Sequence, residues 1–179
     1  MKILFVLFLL VFPFFTYAGT PYKTNEFLLQ KHNAGSLKIG MTVDELFTIY
    51  GLRDTDLVDL YIEGSFTPAI EIYLQTGDNR KPSLVAEFRG DRHRIWLINI
   101  NDKRFKTDKG IGIGSSLGDV RKAYTVNRID WGERGFFARV DDVRMTVIFD
   151  NLVPPPEWYE EKNPDLMPDD AIISTIYLD

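Results

Sequence analysis

The sequence contains no cysteine among its 179 residues and only two histidines. The lack of cysteine excludes disulfides, a cysteine nucleophile and lipid attachment at a cleavage-site cysteine. Two histidines are too few for a histidine-rich metal site, and no Gly-x-Ser-x-Gly nucleophile motif is present. We therefore expect no metal, no cofactor and no catalytic residue, and we interpret the protein as non-enzymatic.

Basic residues are also in deficit, with 21 Lys and Arg against 26 Asp and Glu and a formal net charge of −5. The basic residues are scattered along the chain rather than clustered. An acidic protein of this kind is repelled by nucleic acid and by anionic membrane surfaces. The charge therefore predicts neither of these as a partner.

No apolar run has the length of a bilayer span, which takes about 20 residues. Residues 3–15 form a shorter run after Lys2, and residues 16–18 place small side chains where signal peptidase recognises them. This pattern predicts a signal peptide over residues 1–18, with cleavage after Ala18. The mature protein is then periplasmic or secreted and has no stable membrane span. Retention of the run as a membrane anchor is the alternative.

One phrase of the sequence occurs twice, at residues 38–50 and 112–124, with a constant offset of 74 residues. The equivalent positions include Gly40 and Gly114, Thr42 and Ser116, Glu45 and Asp119, and Tyr50 and Tyr124. In each copy a hydroxyl residue precedes an acid by three positions, which is the pattern of a helix capping box. Apolar residues at helical spacing follow, so each copy predicts the start of a helix.

Short runs rich in apolar residues after each helix, three of which (57–63, 69–75 and 143–149) alternate, predict eight antiparallel strands in hairpin order. Their ranges are 57–63, 69–75, 84–89, 93–101, 126–130, 136–140, 143–149 and 171–178. We therefore predict an α+β protein of two tandem helix-plus-antiparallel-meander units, with the helices packed on one face of a sheet. The predicted organisation is one compact domain with a lead-in at 19–36, a first helix-β unit at 37–102 and a second at 105–179.

The first phrase, Ile39, Gly40, Met41, Thr42 and Glu45, resembles the helix-opening phrase of two related groups of proteins. These are the β-lactamase-inhibitor-protein-like fold and the SmpA/OmlA (BamE-type) outer-membrane proteins. The second phrase is similar to those of uncharacterised secreted bacterial proteins. This chain differs from the SmpA/OmlA pattern because it lacks the lipidated cysteine and has two units. The resemblance implies a binding or scaffold module that docks another protein across its sheet face.

The longest predicted loop, residues 151–170, joins three consecutive prolines to Trp158 and Tyr159. Loops of more than about 12–15 residues are uncommon in compact domains and are often functional. Tryptophan and tyrosine are also favoured anchors of protein interfaces. The loop therefore predicts partner binding through Trp158 and Tyr159, and Trp131 in a predicted turn is a third candidate. In the alternative, Trp158 and Tyr159 fold back and cap the sheet.

These observations predict a protein-binding module whose partner is another envelope or secreted protein. One alternative is a binder of small ligands or cell-envelope carbohydrate whose exposed aromatic side chains stack on sugar rings. Another is a hydrolase with an unrecognised site. A protein binder should expose an apolar patch rimmed by charge, a sugar binder should line a groove with aromatic side chains, and an enzyme should gather titratable groups in a pocket.

Overall fold

The structure, a computed structural model, describes residues 26–62, 64–77, 80–90, 93–132, 134–149 and 152–179. The predicted signal peptide and the start of the predicted lead-in lie outside the described residues. In chain order the elements are β1 (Leu28–Gln30), β2 (Asn33–Ala34), β3 (Leu37–Lys38), α1 (Val43–Tyr50), β4 (Thr55–Ile62), β5 (Ser65–Ile72), β6 (Leu84–Arg89), β7 (Arg94–Ile100), β8 (Lys106–Thr107), α2 (Leu117–Ala123), β9 (Arg128–Gly132), β10 (Gly135–Val140), β11 (Met145–Phe149), α3 (Pro156–Glu161) and β12 (Ile173–Leu178).

The larger of two sheets has eight antiparallel strands in the order β4-β5-β6-β7-β12-β11-β10-β9. Each half of the chain contributes four consecutive strands, and β7 pairs with β12 at the centre. The smaller sheet has the order β3-β2-β1-β8, in which β1 and β8 run parallel. The eight strands expected from the apolar runs are thus present with shifted bounds. The four short strands of the smaller sheet were not predicted.

The predicted α+β class, with two helix-plus-meander units and helices packed on one face of a sheet, is wrong. The described residues form twelve strands in two sheets and only three α-helices, each of eight residues or fewer. Helices this short cannot cover eight strands, and α1 buries a single residue, Leu46. The smaller sheet and the loop before β8 supply much of the remaining core through Leu29, Leu37 and Phe105. The fold is therefore mainly β.

Both predicted capping boxes are confirmed. The N–H of Glu45 donates to Thr42 Oγ1 at 3.3 Å, and the N–H of Thr42 donates to Glu45 Oε2 at 2.8 Å. Ser116 and Asp119 make the same two bonds at 3.1 and 3.0 Å. Each pair satisfies two backbone donors that a helix start otherwise leaves without partners.

The main core lies on one face of the larger sheet. Because successive strand residues point to opposite faces, side chains such as Ile70, Ala86, Ile98 and Ile176 are buried together with the residues of the smaller sheet and the helices. Residues at the intervening positions point to the opposite face, which we call the outer face. This division positions the sites described next.

Candidate functional site

A cavity of about 390 Å³ lies on the outer face of the larger sheet. All eight strands and the turn between β9 and β10 contribute to its lining. In a flat sheet of eight strands the two edge strands would lie about 34 Å apart. The sheet therefore curls around the cavity, and its outer face is concave. The volume lies within the range of roughly 300–1,000 Å³ that small-molecule sites occupy.

A buried carboxylate forms part of the cavity wall. Glu87 on β6 is 1% exposed, and neither of its oxygens accepts a hydrogen bond from a described group. Nη2 of Arg134 lies 3.5 Å from Oε1, which is close enough for an ion pair but long for a hydrogen bond. Burial raises the pKa of Glu87, while Arg134 and Arg89 act in the opposite direction. A carboxylate buried with so little compensation costs free energy, which marks it as a candidate for ligand binding.

Guanidinium groups lie over aromatic rings of the cavity. Cζ of Arg89 is 3.5 Å from the ring centroid of Trp96, and Cζ of Arg134 is 4.7 Å from that of Tyr177. Such cation–π contacts hold the two arginines over the sheet. Because a guanidinium occupies one face of each ring, that face is not free to stack on a sugar. Arg89 makes no ion pair with another described residue.

An irregularity in the pairing of β6 and β7 places Trp96 in the cavity. Glu87 pairs with Leu97 and Phe88 pairs with Ile95, so Trp96 is an extra residue on β7. A bulge of this kind redirects a side chain. Trp96 therefore lines the cavity, although its apolar strand predicts a core position. Its indole N–H is buried and has no described acceptor.

A second candidate site is an apolar surface on the hairpin formed by β4 and β5. Leu57, Tyr61 and Phe66 are exposed there, and we call them the aromatic hairpin surface. The rings of Tyr61 and Phe66 pack edge to face with their centroids 5.2 Å apart. Asp56 and Asp59 are exposed on the same edge strand. The site thus combines exposed apolar side chains with neighbouring acidic ones.

The three predicted site residues lie close together, away from the cavity, because Trp131 and Trp158 pack on Phe136 and Tyr159 packs on Trp158. Trp158 is 1% exposed and packs edge to face on Phe136, with the centroids 5.3 Å apart. It is therefore inaccessible to a partner, as in the alternative in which it folds back onto the sheet. Tyr159, next to it, and Trp131, 4.7 Å from Phe136, remain exposed.

Sequence reasoning missed Glu87 and Arg134 altogether. Glu87 had a usable signal, because it is a single acid within the otherwise apolar run of residues 84–88. Charged residues are rarely buried without a partner, so a lone carboxylate in an apolar strand indicates either a paired charge or a functional site. Arg134 had no such signal. Its position in a short turn is typical of solvated arginines.

Among the described residues, three or more His, Asp or Glu side chains nowhere lie close enough together to hold a metal ion. None of the helices in the described ranges is both long and apolar enough to cross a bilayer.

Comparison with known proteins finds a similar fold but no related family. No protein-family model matches the chain, and no curated protein matches its sequence significantly. The chain is similar to a solved structure, that of the uncharacterized protein yfeY from Escherichia coli. The TM-score is 0.54, the sequence identity is 16%, and the match covers 85% of this chain and 96% of that one. At this identity the likeness concerns the fold alone.

Proposed function

We propose that the protein is a non-enzymatic protein-binding module and that the aromatic hairpin surface is its docking surface. The observation that carries the proposal is the exposure of Tyr61 and Phe66, of which Phe66 is 72% exposed. Exposed apolar patches rimmed by polar groups are typical of protein interaction sites. Large aromatic side chains also contribute much of the binding energy at such interfaces.

The position of the surface indicates how a partner docks. β4 is an eight-residue edge strand that pairs only with β5 among the described strands. The backbone groups on its free edge can therefore pair with an extended segment of another protein. Side chains of that segment would lie next to Leu57 and Tyr61.

Charge defines the partner further. Asp56 and Asp59 are exposed along β4, so the docking surface is acidic as well as apolar. Complementary charge favours encounter and suppresses unsuitable partners. The proposed partner, another envelope or secreted protein, should therefore dock through an extended segment that carries apolar side chains next to Lys or Arg.

Two hydroxyl side chains of the cavity, those of Ser65 and Thr146, form hydrogen bonds with described groups. Among the described cavity residues, Ser65 Oγ donates to the carbonyl of Ile62, and Thr146 Oγ1 accepts from Arg139. Neither hydroxyl is hydrogen-bonded to a group that could activate it.

The test is crosslinking of purified protein to native envelope proteins, with identification of the linked peptides. The double variant Tyr61→Ser/Phe66→Ser should lose a crosslinked protein that wild type retains, and the crosslinks should join β4 to a basic, extended segment. Trp131→Ser is the matched control, because Trp131 is an equally exposed aromatic residue on the other edge hairpin.

Three outcomes would count against the proposal. Loss of the partner with Trp131→Ser alone would move the docking surface to the other hairpin. Crosslinks between two copies of this chain, with sedimentation velocity showing a dimer, would replace a partner protein with self-association. Equal crosslinking by wild type and the double variant would exclude the aromatic hairpin surface.

A further inference from the structure

The cavity on the outer face contains two sets of polar groups of opposite character that form no hydrogen bonds with described residues. Glu87 offers two buried acceptor oxygens without hydrogen bonds. Trp96 offers a buried indole N–H without an acceptor, and Arg89 offers guanidinium donors that form no ion pair within the described chain. Unsatisfied buried polar groups are rare and costly in folded proteins. Here they line a cavity of ligand size.

We propose that this cavity binds a small zwitterion, an amino acid or a short peptide. Its ammonium group lies against Glu87, and its carboxylate lies against Arg89 and the indole N–H of Trp96. This binding site is separate from the aromatic hairpin surface and does not depend on it.

The charges of the lining favour a zwitterion over an ion of one sign. Two arginines and one glutamate leave the described lining with a net positive charge. A simple cation would be repelled by Arg89 and Arg134. A simple anion would leave the carboxylate of Glu87 without a hydrogen bond, with only the 3.5 Å ion pair to Arg134. A molecule that carries both charges satisfies both sets of groups at once.

The aromatic residues of the cavity argue against a sugar. Carbohydrate recognition through stacking needs an open ring face, and one face of Trp96 is covered by Arg89 and one face of Tyr177 by Arg134. A neutral sugar would also bring no charge to Glu87. The size of the cavity suits a dipeptide as well as a single amino acid.

Isothermal titration calorimetry on the intact mature protein tests the proposal without any substitution. The zwitterionic probes are alanine and Ala-Ala, and the single-charge analogues are propionate and ethylamine. D-glucose serves as the neutral probe. We expect saturable binding of at least one zwitterion. Propionate and ethylamine should bind about 10-fold or more weakly, because each forgoes a charged hydrogen bond.

Two variants assign the charges to residues. Glu87→Gln and Arg89→Met should each weaken zwitterion binding about 10-fold or more. Arg53→Met, which removes an exposed arginine outside the cavity lining, is the matched control and should leave binding unchanged. Far-UV circular dichroism checks that each variant folds.

The proposal is overturned by any of three results. These are no binding of either zwitterion at about 1 mM, propionate or glucose binding as tightly as alanine, or unchanged affinity in a folded Glu87→Gln variant. Since the single-charge analogues are tested on wild type, the comparison stands even where a variant does not fold.

Discussion

The two edge hairpins of the larger sheet carry an aromatic pair at the same place but differ in what covers it. In each hairpin the pair is the second one from the turn: Tyr61 with Phe66, and Trp131 with Phe136. The rings pack edge to face in both cases, at 5.2 and 4.7 Å. Yet Phe66 is 72% exposed and Phe136 is 5% exposed. Trp158 of α3 accounts for the difference, because it packs on Phe136.

The same aromatic pair therefore contributes to stability in the covered hairpin and is available for binding in the uncovered one. An aromatic side chain buries roughly 150–250 Å², which at about 25 cal/mol per Å² stabilises the fold by roughly 4–6 kcal/mol. The covered hairpin gains this stabilisation within the chain. The uncovered hairpin leaves the same kind of surface open, so a partner protein can gain it instead. Binding and stability should therefore separate between the two hairpins.

The largest effect should come from uncovering the second hairpin. Trp158→Ala removes a fully buried side chain and exposes Phe136, so the free energy of unfolding should fall by about 3–5 kcal/mol. Denaturation in urea, followed by circular dichroism, measures the change. Tyr159→Ala is the control, since Tyr159 is 59% exposed and its loss should cost less than about 1 kcal/mol. Equal costs for the two variants would mean that α3 does not cover the hairpin in solution.

A matched pair of substitutions sharpens the comparison. Phe136→Ala should cost about 3 kcal/mol, because a buried ring leaves a cavity behind. Phe66→Ala should cost about 0.5–1 kcal/mol, because it loses little beyond the contact with Tyr61. Urea denaturation of both variants gives the difference directly. If Phe66→Ala proved as costly as Phe136→Ala, the first hairpin would be covered as well.

Local signals in the sequence were enough for the elements that depend on local chemistry. Thr42 with Glu45 and Ser116 with Asp119 form the capping boxes that their spacing predicts. Short runs of apolar and β-branched residues located every strand of the larger sheet, including β6, which is buried on both faces, and β4, which is largely exposed. Strand pairing over long distances left no such signal. β1 and β8 are three and two residues long, too short for a period, and they pair across more than 70 residues of chain.

The candidate sites were less predictable for the same reason. Trp96 lines the cavity because of a bulge, and no residue pattern in β7 announces that bulge. Arg134 reaches Glu87 only because the sheet curls. The prominence of Trp158 in a proline-rich loop predicted binding, whereas its side chain fills the space over Phe136. Aromatic residues in long loops serve both purposes, and composition does not distinguish them.

The smallest expected effect concerns the two capping boxes, which have the same geometry in both halves of the chain. Hydrogen bonds from Thr42 lower the pKa of Glu45, and those from Ser116 lower the pKa of Asp119. The usual pKa is 4.5 for Glu45 and 3.8 for Asp119, and each acid stabilises the folded state at pH values above it. This stabilisation is lost as the pH falls through the lower pKa of the folded state. Glu45→Gln and Asp119→Asn should each remove a similar part of the pH dependence of unfolding in this acidic range.

Glu87 supplies the internal contrast for this measurement, because burial raises its pKa. The folded state therefore binds the proton more tightly than the unfolded state does. Stability from this group should decrease as the pH rises from its usual value of 4.5 through the higher folded value. Glu87→Gln should abolish that decrease, whereas the two capping variants should leave it intact. Urea denaturation across the pH range separates the effects by sign. If a capping variant changed the pH dependence of the unfolding free energy above pH 4.5 in the same direction as Glu87→Gln, the assignment of that dependence to Glu87 would be contradicted. Unequal effects of Glu45→Gln and Asp119→Asn would show that the two halves of the chain differ at their helices as well as at their hairpins.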